Sequence, residues 1–282
     1  MNQKRTVLFI GNGFDLAFDS KTSYKNFVES EQFKELIIDE NQLAIFIYKK
    51  FETNDKKWVD IEIEIGNYSK KISKEANGTE LSTTSLFKKN YEQLSSALQA
   101  YLYTQKGGKE NVKLLNEVKK WVSESEQDQT VVICFNYTPH VHVFFFNEYR
   151  ISVRYIHGSL LKQDESNIDI VVGVDENCNI VPEHSFIYKS FNSKTEIRGI
   201  IDTILNAEKL IFFGCSIGET DEFYFSELFK SAKNKIFQIY YYGTFEEEYI
   251  RNRVHLLSGS MAKFKSENDI TFTDSKQFDI KS

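Results

Sequence analysis

Near its start the chain reads TVLFIGNG over residues 6–13, and this stretch decides the fold. A continuously apolar run that ends in a turn with two glycines is typical of a buried parallel strand feeding a helix. Similar apolar runs recur at residues 130–135, 153–156, 168–174, 210–213 and 236–242. Most of them are followed by polar or turn residues and then by helical patterning. This alternation predicts an α/β protein with a doubly wound, mostly parallel, Rossmann-like sheet.

Residues 24–125 differ in character, and we expect a helical insertion there. Apolar side chains recur at helical spacing, for example at Phe87, Tyr91, Leu94 and Leu98. Residues 58–68 fit either a strand or a helix, and their helical neighbours favour a helix. Neither an internal repeat nor a linker rich in glycine, serine or proline is visible. The sequence therefore predicts one domain over residues 1–282 that carries this insertion.

The composition excludes several classes of protein. The 282 residues are 41% hydrophobic and 27% charged, with a net charge of −6, which is typical of a globular protein and disfavours nucleic-acid binding. Cys134, Cys178 and Cys215 form no C-x-x-C pair, so we expect no zinc site, and an odd, unpaired set suits a reducing cytosol. Because no apolar run is as long as a bilayer is thick, we expect a cytoplasmic protein without a membrane partner.

The first candidate site is the turn Gly11-Asn12-Gly13-Phe14-Asp15. Two glycines after a buried strand let the backbone turn sharply and approach a phosphate group. The third glycine of the dinucleotide-binding pattern G-x-G-x-x-G is replaced by Leu16. The motif by itself leaves open a choice between nucleotide binding and a plain turn from strand to helix.

The second candidate site follows the next strand, in the order Asn136, Tyr137, Thr138, Pro139. We expect Thr138 to cap a helix that begins at Pro139. Asn136 is then left at the carboxyl end of a strand, where its amide offers both a donor and an acceptor. A turn asparagine without a function is the alternative interpretation.

Two further candidate sites follow later strands. His157 precedes Gly158 at a strand end, and a histidine there can accept a proton, although a buried structural histidine is the alternative. Gly214 and Ser216 form a turn of small residues, with Asp221 beyond it as a helix cap or a ligand contact. Because all four sites follow parallel strands, we expect Gly13, Asn136, His157 and Ser216 to face one crevice.

The patterns of the other polar residues do not predict a catalytic or metal site. His140 and His142 lie two positions apart on a predicted helix, so their side chains diverge and cannot share a metal ion. Asp60, Glu62 and Glu64 read as a solvated helix face, although Trp58 and Glu62 could contribute to the rim of the crevice. Cys134 and Cys215 read as residues that line the core.

The motifs resemble those of the AbiH family of phage abortive-infection proteins. The opening LFIGNGFDLA at residues 8–17, the WVDIE at residues 58–62, FNYT at residues 135–138 and IHG at residues 156–158 carry this resemblance, together with Gly214, Ser216 and Asp221. Their order also resembles that of sirtuin-like enzymes that consume NAD. Phe18, Asp19 and Ser20 depart from the family's usual H-G-L, and His140 and His142 stand where threonine and glutamate are more frequent.

The resemblance implies that NAD is the substrate and that no separate cofactor is needed. Asn136 and His157 would be catalytic, and the nucleotide would be held by Gly11, Asn12, Gly13, Asp15, Thr138, Gly214, Ser216 and Asp221. The missing four-cysteine zinc ribbon points to NAD hydrolysis instead of protein deacylation. A nucleotide sensor without turnover and a nuclease effector are the alternatives. We also expect an oligomer, and a phage trigger or a second defence protein as partner.

Overall fold

The structure is a computed structural model that describes residues 5–54, 60–75, 81–105, 108–124, 129–161, 170–192 and 197–280. The chain forms two compact units. The first comprises residues 1–20, 107–156 and 195–282, and the second comprises residues 21–106 and 157–194. The insertion predicted at about residues 24–125 does not include the stretch 157–194, and it includes a helix at Val112–Ser123 that belongs to the first unit.

The first unit contains a six-stranded parallel sheet. Its strands are β1 (Thr6–Ile10), β2 (Thr130–Cys134), β3 (Ser152–Tyr155), β4 (Lys209–Phe213), β5 (Ile236–Tyr241) and β6 (Asp269–Asp274). Their order in the sheet is β3-β2-β1-β4-β5-β6, and every neighbouring pair is parallel. This is the strand order of a doubly wound, Rossmann-like fold. The predicted fold class is therefore confirmed.

Thirteen α-helices lie within the described residues. They are α1 (Gly13–Ala17), α2 (Tyr24–Val28), α3 (Glu31–Ile38), α4 (Gln42–Thr53), α5 (Ile61–Glu75), α6 (Leu81–Thr104), α7 (Val112–Ser123), α8 (His140–His142), α9 (Lys189–Asn192), α10 (Ile197–Leu205), α11 (Glu222–Ser231), α12 (Gly243–Ser258) and α13 (Met261–Glu267). Helix α8 continues into one π-helical turn, Val143–Glu148, and short 3₁₀ helices span Pro182–Ile187, Glu219–Asp221 and Ser275–Phe278.

Both faces of the sheet are covered, because successive strand residues point to opposite sides. In β1, Val7 and Phe9 join a core with α10, α11, α12 and α13. Leu8 and Ile10 join a second core with α1, α7 and α8. All five residues of β1 are buried, as are four of the five in β2. Burial on both faces explains why these strands read as continuous apolar runs.

Two strands differ from the sequence prediction. The prediction of a sheet strand at residues 168–174 is wrong. The described part of this run makes only an isolated bridge, between Val174 and Tyr188. Its valines are instead buried side chains of the second unit. Conversely, β6 was not predicted. It is an edge strand whose residues are exposed or partly buried, so it lacks a continuous apolar run.

The second unit is mostly helical. Helices α3 and α5 both contact neighbouring helices of the group α2 to α6, and α6 packs against α3 and α4. The side chains of Ser23, Ser30 and Asn41 cap the starts of α2, α3 and α4 by accepting backbone amide hydrogens. The ambiguous segment is a helix as expected, since α5 begins at Ile61; Trp58 and Val59 lie outside the described residues.

Candidate functional site

The turns that follow β1 and β4 lie side by side, with their backbones in direct contact. The amide of Gly11 donates to the carbonyl oxygen of Phe213 at 3.0 Å, and the amide of Gly13 donates to that of Gly214 at 3.1 Å. A Cβ atom on Gly11 would lie 2.2 Å from the oxygen of Gly214. One on Gly13 would lie 2.5 Å from its Cα. Glycine is therefore required by this close approach, which lies where the strand order reverses and open α/β sheets bind ligands.

Asp15 lies directly beyond this turn, on α1, and is fully buried. One carboxylate oxygen accepts a hydrogen bond from the Thr138 hydroxyl at 2.5 Å. The other lies 3.3 Å from Nδ1 of His140. Asn12, the N-cap residue of α1, makes no capping hydrogen bond with its side chain. The Asp15 carboxylate is thus held by two side chains that both follow β2.

Thr138 does not act as the expected helix cap. Pro139 is itself the N-cap residue of α8, and no side chain caps this helix. The Thr138 hydroxyl instead donates its hydrogen to the Asp15 carboxylate. This contact forms because β1 and β2 are neighbours and the segments that follow them meet. The sequence prediction was wrong here because this partner lies 123 positions away along the chain.

Asn136 follows β2 and is only 4% exposed. Neither the oxygen nor the nitrogen of its side-chain amide has a hydrogen-bond partner among the residues that the structure describes. A buried amide without partners costs about 1–3 kcal/mol, so natural proteins rarely retain one without a reason. Of the two side chains predicted to be catalytic, Asn136 is the one whose polar atoms lack a hydrogen-bond partner among the described residues.

The turn after β4 carries three further candidate residues. Gly214 adopts a left-handed backbone with φ of +62°, and Ser216 is exposed. Asp221 is the N-cap residue of α11, but its side chain makes no capping hydrogen bond. Ser216 and Gly13 thus follow adjacent strands of the sheet, and Asn136 follows the next strand along.

His157 follows β3 along the chain but belongs to the second unit. It is buried, and its backbone oxygen accepts a hydrogen bond from the amide of Val171 at 2.8 Å. Gly158 has a positive φ of 79°. The expectation that His157 faces the same crevice as Gly13, Asn136 and Ser216 stays a prediction.

In the acidic cluster at the start of α5, Asp60 and Glu64 are partly exposed, but Glu62 contradicts the predicted solvated face. Glu62 is buried, and its carboxylate lies 2.8 Å from Nζ of Lys189, in an ion pair whose side chains are 7% and 8% exposed. The same carboxylate accepts a hydrogen bond from the amide of Gly173 at 3.3 Å. Asp60 accepts hydrogen bonds from the amides of Glu62 and Ile63 at the start of the helix. Sequence patterns do not point to Lys189 as the partner of Glu62, because it lies 127 positions away along the chain.

A second buried histidine, His184, lies in the second unit, as His157 does. Nδ1 of His184 lies 2.8 Å from the Ser69 hydroxyl, and both residues are buried. Its ring packs edge-on against Phe87 at 4.9 Å. Burial lowers the pKa of His184 from its ordinary value. The imidazole is therefore held in its neutral form.

The remaining sequence predictions concern metals, thiols and membranes. His140 and His142 diverge as expected, since His142 stacks on Phe146 at 4.7 Å instead of facing Asp15. Within the described residues, no group of three metal-binding side chains comes together. Burial raises the pKa of the Cys215 thiol to about 12 and that of Cys134 well above its ordinary value, so both thiols line the core as predicted. None of the described helices has the length and apolar character needed to cross a bilayer.

The strand order and the paired glycine turns define an α/β protein of the doubly wound class, with polar side chains gathered after β1, β2 and β4. The model of one family, Bacteriophage abortive infection AbiH, matches residues 7–242. This is most of the chain, and the chain therefore belongs to the AbiH family, whose role is defence against bacteriophage by abortive infection. None of the curated proteins compared with the chain is significantly similar.

Proposed function

We propose that this protein is an abortive-infection effector that cleaves the glycosidic bond of NAD and releases nicotinamide. The observation that carries the proposal is the buried, unpartnered amide of Asn136 beside the glycine turns of a doubly wound sheet. In such sheets dinucleotides bind where the strand order reverses. A ribose hydroxyl or an attacking water would supply the donor and the acceptor that the Asn136 amide lacks.

The reaction suits a site without paired carboxylates. As the bond between C1′ of the ribose and the nicotinamide nitrogen breaks, its electron pair stays on nicotinamide, which leaves neutral and needs no general acid. Water adds to C1′ and gives up one proton, so the products are ADP-ribose, nicotinamide and a proton. Asn136 would position the ribose or the water, and His157 would accept the proton.

The glycine turns would bring the nucleotide close to the backbone. Gly11, Gly13 and Gly214 carry no side chains, Asn12 lies between the first two, and Ser216 offers an exposed hydroxyl beside them. Because the amides of Gly11 and Gly13 are donated within the protein, the phosphate groups would be held by other donors of these turns. We further propose that the protein acts as an oligomer, with a phage component or a second defence protein as its trigger.

The test is nicotinamide release from NAD by the purified full-length chain, with and without phage lysate, and with NADP in parallel. We expect Asn136→Ala and His157→Ala each to lower the rate by a factor of about 10² to 10⁴, which is the usual contribution of such groups. Melting temperatures show whether each variant still folds. NAD binding without turnover in the wild type would instead identify a nucleotide sensor, and degradation of added DNA or RNA would identify a nuclease.

A further inference from the structure

The Asp15 carboxylate carries a charge that the protein compensates in an unusual way. It is fully buried, and among the described residues it pairs with no lysine or arginine. Its two partners are the neutral Thr138 hydroxyl and the imidazole of His140. Burying a carboxylate without a cation is costly, so the hydrogen bonds that these two side chains make to it are important.

His140 is positioned to exchange a proton with a bound molecule. Its Nδ1 faces Asp15, which fixes the tautomer with the hydrogen on Nδ1 and leaves Nε2 with a free lone pair. Its side chain is 19% exposed, whereas Asp15 beneath it is sealed. A carboxylate that orients a histidine and stabilises its protonated form is a common device for a general base.

The location of His140 fits this role. It lies four residues after Asn136, on the segment that β2 leads into, and in the same unit as the glycine turns. The titratable groups that the structure places against this segment are Asp15 of α1, Tyr155 of β3 and His142 of the same helix. Tyr155 donates its hydroxyl hydrogen to the carbonyl oxygen of Thr138 and accepts one from the His142 amide, so it holds the backbone around His140.

We infer that His140, in place of His157, accepts the one proton that the proposed NAD cleavage releases, and that Asp15 is its positioning residue; the inference rests on the proposed function. Nε2 of His140 takes a proton from the attacking water while the water oxygen bonds to C1′ and the bond from C1′ to nicotinamide breaks. The electron pair of that bond remains on nicotinamide, and the proton passes from His140 to solvent.

The first experiment compares two histidines of the same helix. We expect His140→Asn to lower nicotinamide release about 10²-fold or more at saturating NAD, with little change in NAD affinity measured by calorimetry. His142→Asn is the matched control, because His142 stacks on Phe146 away from Asp15 and should leave the rate unchanged. Full activity of His140→Asn, with an active wild type, would overturn the inference and leave the proposed function standing. An inactive wild type would overturn both.

The second experiment tests positioning by Asp15 without relying on turnover. In protein labelled with ¹⁵N-histidine, we expect the ¹⁵N chemical shifts to show hydrogen on Nδ1 of His140. Asp15→Asn should weaken this preference, because a neutral amide oxygen accepts a hydrogen bond less strongly than a carboxylate. If Asp15→Asn folds poorly, the wild-type spectrum decides, since hydrogen on Nε2 of His140 would overturn the inference. An unchanged tautomer of His140 in a folded Asp15→Asn variant would show that Asp15 has no such role.

Discussion

Among the described residues, each unit buries one carboxylate side chain, and the two are held by different kinds of partner. In the second unit, Glu62 meets the permanent positive charge of Lys189, and both side chains are sealed from solvent. In the first unit, Asp15 contacts the Thr138 hydroxyl and the partly exposed imidazole of His140, neither of which carries a permanent charge. A permanently paired carboxylate serves packing, whereas one paired with a titratable, accessible group is suited to moving a proton. Burial alone therefore does not separate structural from functional carboxylates; the partner does.

The largest effect should come from breaking the Glu62 pair. Lys189→Ala leaves a buried carboxylate uncompensated, which typically costs about 3–5 kcal/mol of unfolding free energy. Lys34→Ala is the control, since the side chains of Lys34 and Glu31 are 54% and 81% exposed and such pairs contribute about 0–1 kcal/mol. Urea unfolding measures both variants. Equal losses would mean that the Glu62 pair is no more structural than a surface pair.

The next effect concerns the paired glycine turns of the first unit. Gly214 and Gly259 both adopt left-handed backbones, but a Cβ atom on Gly214 would lie 2.5 Å from the Cα of Gly13, whereas one on Gly259 meets nothing within 4 Å. Gly214→Ala should therefore lower the unfolding free energy by about 1–3 kcal/mol more than Gly259→Ala does. It should also weaken NAD binding. Equal destabilisation in urea would show that the turns tolerate separation.

A smaller effect of opposite sign is expected at Asn136. Replacing a buried amide that lacks partners by an apolar side chain of similar volume should stabilise the fold, so Asn136→Leu should gain about 1 kcal/mol while nicotinamide release is lost. Asn111 is the matched control. It is equally buried, but its side chain bonds the carbonyl oxygens of Ala17 and Phe278 and the amide of Leu114.

Asn111→Leu should therefore cost about 2 kcal/mol, because it breaks a helix cap and leaves the buried carbonyl group of Phe278 and the partly buried one of Ala17 without this donor. Thermal and urea unfolding of the two variants provide the comparison. Destabilisation of Asn136→Leu as large as that of Asn111→Leu would mean that the Asn136 amide is structural.

The smallest effect is a dependence of stability on pH, through His184. Since burial lowers the pKa of His184, the unfolded chain takes up a proton near pH 6.5 while the folded protein does not. This contribution to stability is present above about pH 6.5 and is lost as the pH falls below it. His184→Gln should reduce the slope of the urea midpoint against pH between pH 7 and 5. A slope that is the same in the wild type and in His184→Gln would show that burial of His184 does not affect stability in this range.

Much of the sheet was predictable because burial on both faces leaves a mark in the sequence. Residues 6–10 and 210–213 are continuously apolar for that reason, and they became β1 and most of β4. The same criterion failed at residues 168–174, because an apolar run also marks chain that is buried without joining a sheet. It missed β6 because an edge strand is buried too little to be apolar throughout.

The site was less predictable, because its contacts join distant positions. The spacing of strand ends selected the turn residues and Asn136, but it could not show that Thr138 would bond to Asp15 or that Glu62 would pair with Lys189. The sequence pattern around His140 addresses only metal binding, which the spacing to His142 excludes. The position of His140 four residues after Asn136 was visible in the sequence, but its value as a base depends on a carboxylate that only the fold supplies.

The contact between Gly11 and Gly214 can form only late in the synthesis of the chain. About 200 residues separate the two turns along the chain, yet their backbones touch. At translation rates of about 5–20 residues per second, roughly 10–40 s pass between synthesis of the first turn and of the second. Throughout that interval β1 has emerged without its neighbour β4. The turn pair that the proposed activity requires is thus assembled late, so a chain still being translated would lack that proposed activity.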